Sequence, residues 1–182
     1  MNRSVALLSG LALALIVGCG SHPASSKAKV AKEKVGIYDS RAIAIAYVGS
    51  SYCRASMNDL VARHDKAKAE GDEQTVKATD EEGIERQRKA HLQGFSTAPV
   101  DEILALVQDQ LPAIAKKAGV GPLVSKWDTE TLAKYADAEQ VDVTMALVDA
   151  FKPEQSLRKT AIEVQKIEPV PLEEADKMPA NE

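Results

Sequence analysis

Val5 to Val17 (VALLSGLALALIV) is an uncharged run of thirteen apolar and small residues, and nothing else restricts the chain so much. As a helix it rises about 20 Å, short of the ~30 Å hydrocarbon core of a bilayer. That length suits the apolar region of a secretory signal, with Arg3 supplying the positive charge before it. Ile16, Val17, Gly18 and Cys19 close the run in the form of a bacterial lipobox. A small residue there lets a peptidase approach the scissile backbone, and the thiol is the acceptor for diacylglycerol. An ordinary cleavage site wants small residues at −3 and −1, and Ile16 at −3 is too large. The expectation is that residues 1–18 are removed and Cys19 carries lipid, which anchors a chain without spanning the membrane. Gly20 is not the Asp that acts as an inner-membrane retention signal in enteric bacteria. A periplasm-facing chain held at the outer membrane is expected.

Loss of Arg3 leaves 22 Lys+Arg against 27 Asp+Glu, a net charge of −5. An acidic chain with 4% aromatic residues lacks the clustered cations and stacking faces that nucleic acid requires. Cys53 is the one cysteine after Cys19, so no internal disulfide staples the fold. It reads as a small buried or partly buried hydrophobe, against the alternatives of an intermolecular bridge or a reactive thiol. There is no P-loop, GxSxG, HExxH or GxGxxG. His22, His64 and His91 stand apart from any cluster at metal-ligand spacing, and no pair of carboxylates is set aside as acid and base. The sequence therefore predicts no enzyme, no cofactor and no metal site.

Residues 19–34 read as a lysine-bearing tether, with Lys27, Lys29, Lys32 and Lys34 against Glu33. The lysines suit anionic head groups or simple solvation equally. The folded domain is placed at 35–152. Val35, Ile37 and Tyr38 suggest a short strand, and Asp39-Ser40 can cap a helical turn through Ala46. Alternation of Ile43, Ile45 and Tyr47 permits a second strand instead. About 53–93 reads as two charged helices around Gly71-Asp72, an antiparallel coiled-coil hairpin too poor in apolar residues to be a core. Thr79-Asp80-Glu81-Glu82 has capping-box form, and with Gly83 after it a break is expected there.

Val100 to Ala118 repeats apolar residues at helical spacing, with Asp101 and Glu102 in its first turn and Gly119 placed to end it. Pro112 should bend this helix or divide it. Strands are expected at Pro122 to Trp127 and Thr131 to Tyr135, with a turn at Asp128-Thr129-Glu130. Asp142 fits the cap of a helix over Val143 to Phe151, and Trp127 and Phe151 sit where core would be. Residues 153–182 form an extension: Glu154 to Ile167 can be helical, and Glu168 to Glu182, rich in proline and acid, should be disordered. The fold class is α+β, a small sheet of short strands with packed helices and a projecting helical hairpin.

Several of these segments resemble the OmpH/Skp family of periplasmic chaperones. Ile114-Ala115-Lys116-Lys117-Ala118-Gly119 is similar to that family's VAKK-G-like helix end. Leu123-Val124-Ser125-Lys126, then Tyr135, then Asp142-Val143-Thr144 follow in the family's order, and Val35 to Asp39 (VGIYD) is similar to its first strand. The resemblance covers roughly a third of the chain after Cys19. It implies a homotrimer whose helical arms hold unfolded outer-membrane proteins, with no catalytic residue to carry over. The arms here are shorter than the family's, the charge is acidic where the family is basic, and a lipid anchor is added. The function expected is a membrane-anchored holdase or assembly factor for unfolded envelope proteins. The alternative is a structural envelope lipoprotein acting as spacer or scaffold.

Overall fold

The computed structural model describes residues 33–178; Ile16, Val17, Gly18 and Cys19 lie outside the described residues. Strand β1 (Lys34–Tyr38) runs into helix α1 (Ser40–Val48) with one residue between them. Asp39 makes the joint: its carboxylate accepts the backbone N–H of Arg41, the work of an N-cap. The capped-helix reading of this segment holds, and the alternative strand through Ile43 and Tyr47 is helix. Ala42, Ile43 and Ala46 of α1 are fully buried.

Helices α2 (Ser51–Glu70) and α3 (Glu73–Phe95) follow. Gly71 takes the left-handed conformation at φ 73° that ends α2, and Asp72 caps α3 through the N–H of Thr75. The two helices pack along each other, joined by Arg63 to Glu82 at 2.9 Å and Arg86 to Ser56 at 2.7 Å. Leu60 and Ala67 are the buried residues of α2, while Met57, Val61 and Ile84 stay exposed. The break expected at Gly83 does not occur. Thr79 points its hydroxyl back to the carbonyls of Thr75 and Val76 within the helix, so no cap forms and α3 runs through.

The expected helix over Val100 to Ala118 is two helices, α4 (Asp101–Ala105) and α5 (Leu111–Ala118). Pro112 lies in the first turn of α5, where its missing N–H costs nothing. Gly119 ends α5 at φ 68°. Strand β2 (Leu123–Ser125) falls within its expected span. Thr131 to Tyr135 is corrected: Asp128 caps helix α6 (Thr129–Ala133) by accepting the Thr131 N–H, and Tyr135 lies beyond α6, outside any strand. The third strand is β3 (Glu139–Asp142), a segment without a strand-like run of apolar residues. Both outer strands pair with β1 in parallel, in the order β2-β1-β3. The fold is thus mixed helix and sheet, of the α+β kind.

Gly36 in the central strand is required by space. A Cβ there would stand 2.7 Å from Leu123 Cδ2, 3.0 Å from Val120 Cγ2 and 3.3 Å from Val143 Cγ2. Gly36→Ala is expected to lower stability by about 1–3 kcal/mol through overpacking. A urea midpoint equal to that of the parent would contradict this.

After β3, the Asp142 carboxylate accepts the Thr144 N–H at 2.8 Å, and α7 (Thr144–Ala150) carries fully buried Leu147 and Val148 onto α1. Lys152 turns the chain at φ 50°, and α8 (Gln155–Val164) packs on α1. The tail expected to be disordered from Glu168 is corrected over residues 168–178. The Val170 N–H donates to the Phe95 carbonyl, Arg88 pairs with Asp176, and helix α9 (Leu172–Ala175) buries Ala175 against α3. Local acid and proline content predicts solvation, but backbone and ion-pair partners on α3 hold the segment.

Candidate functional site

Three helices form a groove of about 590 Å³, and each gives it a stripe at helical spacing. α1 contributes Ala44, Ile45 and Val48; α3 contributes Ala90, His91, Gly94 and Phe95; α8 contributes Leu157, Thr160 and Val164. Small residues make the space. A Cβ placed on Gly94 meets nothing within 4 Å, so the floor there is open. The rim is apolar and wet: Val48, Phe95 and Ile167 are 50%, 51% and 64% exposed. Contiguous exposed apolar surface is a mark of interaction sites. The polar groups at the edge are mostly engaged already, as Thr160 donates to the Ser156 carbonyl and Glu163 pairs with Lys166.

At one end the groove meets a buried ionic cluster. Asp39 is fully buried and takes Arg41 Nε on one oxygen at 3.1 Å and Arg41 Nη2 on the other at 2.8 Å. Lys126 Nζ stands 2.6 Å from the same carboxylate, and Trp127 Nε1 at 3.4 Å. Arg41 Nη1 donates to the Ile167 carbonyl at 2.8 Å, which fastens the segment after α8 to α1. The indole of Trp127 lies under both cations, 5.1 Å from the guanidinium carbon of Arg41 and 4.8 Å from Lys126 Nζ. The Asp39 N–H donates to Thr144 Oγ1 at 3.0 Å, so α7 joins the cluster too. Burial alone would push the Asp39 carboxyl up, but the bonds and charges of Arg41 and Lys126 outweigh it and hold the group below its usual range. Two cations and one carboxylate, each hydrogen-bonded, form a clamp on α1, β2, α7 and the 167 carbonyl.

Of the histidines expected to be ordinary, His64 and His91 lie on helices, and His22 falls outside the described residues. His64 stands 3.4 Å from both Asp65 and Asp80, and His91 meets Phe95 edge-to-face at 5.6 Å in the groove. Cys53 is half-buried on α2. Phe151 is core at 2% exposure; Trp127, expected to be core, is half-buried over the clamp. Reading the sequence missed the groove because Leu157 and Val164 fall in the extension, beyond the domain boundary set at residue 152. The signal was present in the periodicity of Leu157, Ala161 and Val164.

The described residues define a small α+β domain whose candidate site is an apolar groove beside an ionic clamp. No family model, curated protein or solved structure matches the chain.

Proposed function

We propose that this chain is a lipid-anchored holdase or assembly factor, which shields nonpolar segments of unfolded envelope proteins without catalysis. The observation that carries the reading is the groove between α1, α3 and α8, apolar over most of its wall and with Thr160 and Glu163 at its edge. A segment laid across it removes Val48, Phe95 and Ile167 from water together, at about 25 cal/mol for each Å² covered. The α2–α3 pair is read as an antiparallel hairpin: Ser56 faces Arg86 and Arg63 faces Glu82. Exposed Met57, Val61 and Ile84 on it offer further contact. The OmpH/Skp-like order of segments supports a homotrimer in which three such pairs surround one client. Cys19 supplies the anchor, and the periplasmic face of the outer membrane is the proposed place of work.

The test is suppression of aggregation. Protein from Cys19 to the end is mixed with a urea-unfolded outer-membrane protein on dilution, and light scattering is followed. Scattering is expected to fall with added protein. Gly94→Leu, which fills the open floor, is expected to abolish that effect while helix α3 gains about 0.5–1 kcal/mol from losing a glycine. Unchanged scattering with the parent protein sinks the proposal. A stable native partner in cross-linked pull-downs with no effect on aggregation would favour a scaffold lipoprotein.

A further inference from the structure

Arg41 lines the apolar groove, yet its side chain is only 2% exposed. A guanidinium has five N–H donors. Nε and one hydrogen of Nη2 go to the Asp39 carboxylate, and one hydrogen of Nη1 goes to the Ile167 carbonyl. Among the described residues, one N–H is left over on each terminal nitrogen. Ile167 also lines the groove, so the Nη1 edge lies at that end of it. The charges of the clamp do not balance either. Asp39, held ionised, faces both Arg41 and Lys126, and the three side chains sum to one positive charge in excess. The acids at the groove's edge leave that excess standing. Glu163 is paired with Lys166, and Glu168 is exposed and forms no salt bridge with a described residue.

We infer that the groove binds a fatty acid, its carboxylate on the two unspent N–H groups of Arg41 and its alkyl chain laid along α1, α3 and α8. A carboxylate is planar and takes paired N–H bonds from one guanidinium, which an alcohol cannot match in charge or in number. The tail fits the walls. Ile45, Ala90, Phe95 and Val164 give apolar surface, and the open floor at Gly94 gives room. Backbone within a helix has its N–H and C=O groups already paired, so the walls offer little to a peptide backbone. An alkyl chain brings no polar groups to satisfy. About 590 Å³ lies within the roughly 300–1,000 Å³ of small-molecule sites, which are mostly apolar with a few polar groups that fix orientation. The inference shares its groove with the holdase reading but does not rest on it: one is tested on a fatty acid alone, the other on scattering by unfolded protein.

The full chain is titrated with sodium decanoate in a calorimeter. Emission of Trp127, the sole tryptophan, is a second readout, since its ring stands 5.1 Å from the Arg41 guanidinium carbon. Saturable binding is expected. Decanol, with the tail but no charge, is expected to bind about tenfold more weakly, and hexanoate, four CH₂ groups shorter, weaker by more than about tenfold. Acetate should give no signal. The Asp39→Asn, Arg41→Met double variant removes the guanidinium with its counter-ion. Once its urea transition shows it folded, it is expected to bind decanoate no better than decanol. Gly94→Leu leaves the clamp intact, fills the floor, and is expected to abolish binding of both. Decanoate bound no tighter than decanol by the parent, undiminished in either variant, or not bound at all overturns the inference. A nonpolar hexapeptide with a free carboxyl end that binds tighter than decanoate would make the ligand a chain end, and overturns it too.

Discussion

Replacing Asp39 by asparagine is expected to cost about 3–5 kcal/mol of stability, a large part of what holds a small domain together. The amide oxygen still caps α1, while the amide nitrogen, a donor, replaces the oxygen that accepts from Arg41 Nη2 and faces Lys126, so the loss combines the charge with these bonds. Arg41 is left nearly fully buried with no counter-ion, at 2% side-chain exposure. Lys126, at 26%, can turn to water. The companion change Arg41→Met should recover much of the loss, because an apolar side chain needs no partner there. Urea unfolding of the single and double variants measures both, and a loss below 1 kcal/mol for the single variant refutes the clamp.

The same carboxyl sets a pH dependence. Its folded value lies below the ordinary one, so its contribution is present above about pH 4, the unfolded carboxylate range, and is lost as pH falls through the depressed folded value. The parent is expected to lose stability on acidification in that window, and the Asp39→Asn, Arg41→Met double variant to lose less. Parallel acid curves for the two proteins would show that Asp39 plays no part.

Leu147→Ala carries the second large effect, about 2–5 kcal/mol. Leu147 is fully buried in the cluster that joins α1 to α7, among Ile43, Val143 and Phe151, and its removal leaves a cavity that packed neighbours fill only in part. Val61→Ala on α2, half-exposed at 52%, is expected to change stability by less than 0.5 kcal/mol. The contrast tests where the core lies. Comparable losses at both positions would mean that α2 and α3 share the core.

What could be read locally was read well. The Asp39 cap, the Gly71-Asp72 connection, the end of α5 at Gly119 and the stop after Phe151 depend on a few neighbouring residues and their backbone preferences. Errors gathered where remote partners decide. Glu139–Asp142 carries little strand preference, and pairing of Val141 with Gly36 in the central strand makes it β3. Thr131 to Tyr135 has β-branched and aromatic residues, but the cap at Asp128 draws Thr131, Leu132 and Ala133 into helix α6 and leaves Lys134 and Tyr135 in the turn after it. Gly83 suits a break, yet packing along α2 keeps α3 whole.

The sequence by itself determined the apolar run that ends at Cys19, the acidic balance, the first two strands and several helix ends. Tertiary structure alone decided the strand order, the seating of α8 and the 168–178 segment, and the candidate site. The reason is separation along the chain: Arg41 meets the Ile167 carbonyl, Asp39 meets Lys126, and the groove needs α1, α3 and α8 together. Spacing within one segment cannot carry such contacts, because they exist only once the core has closed.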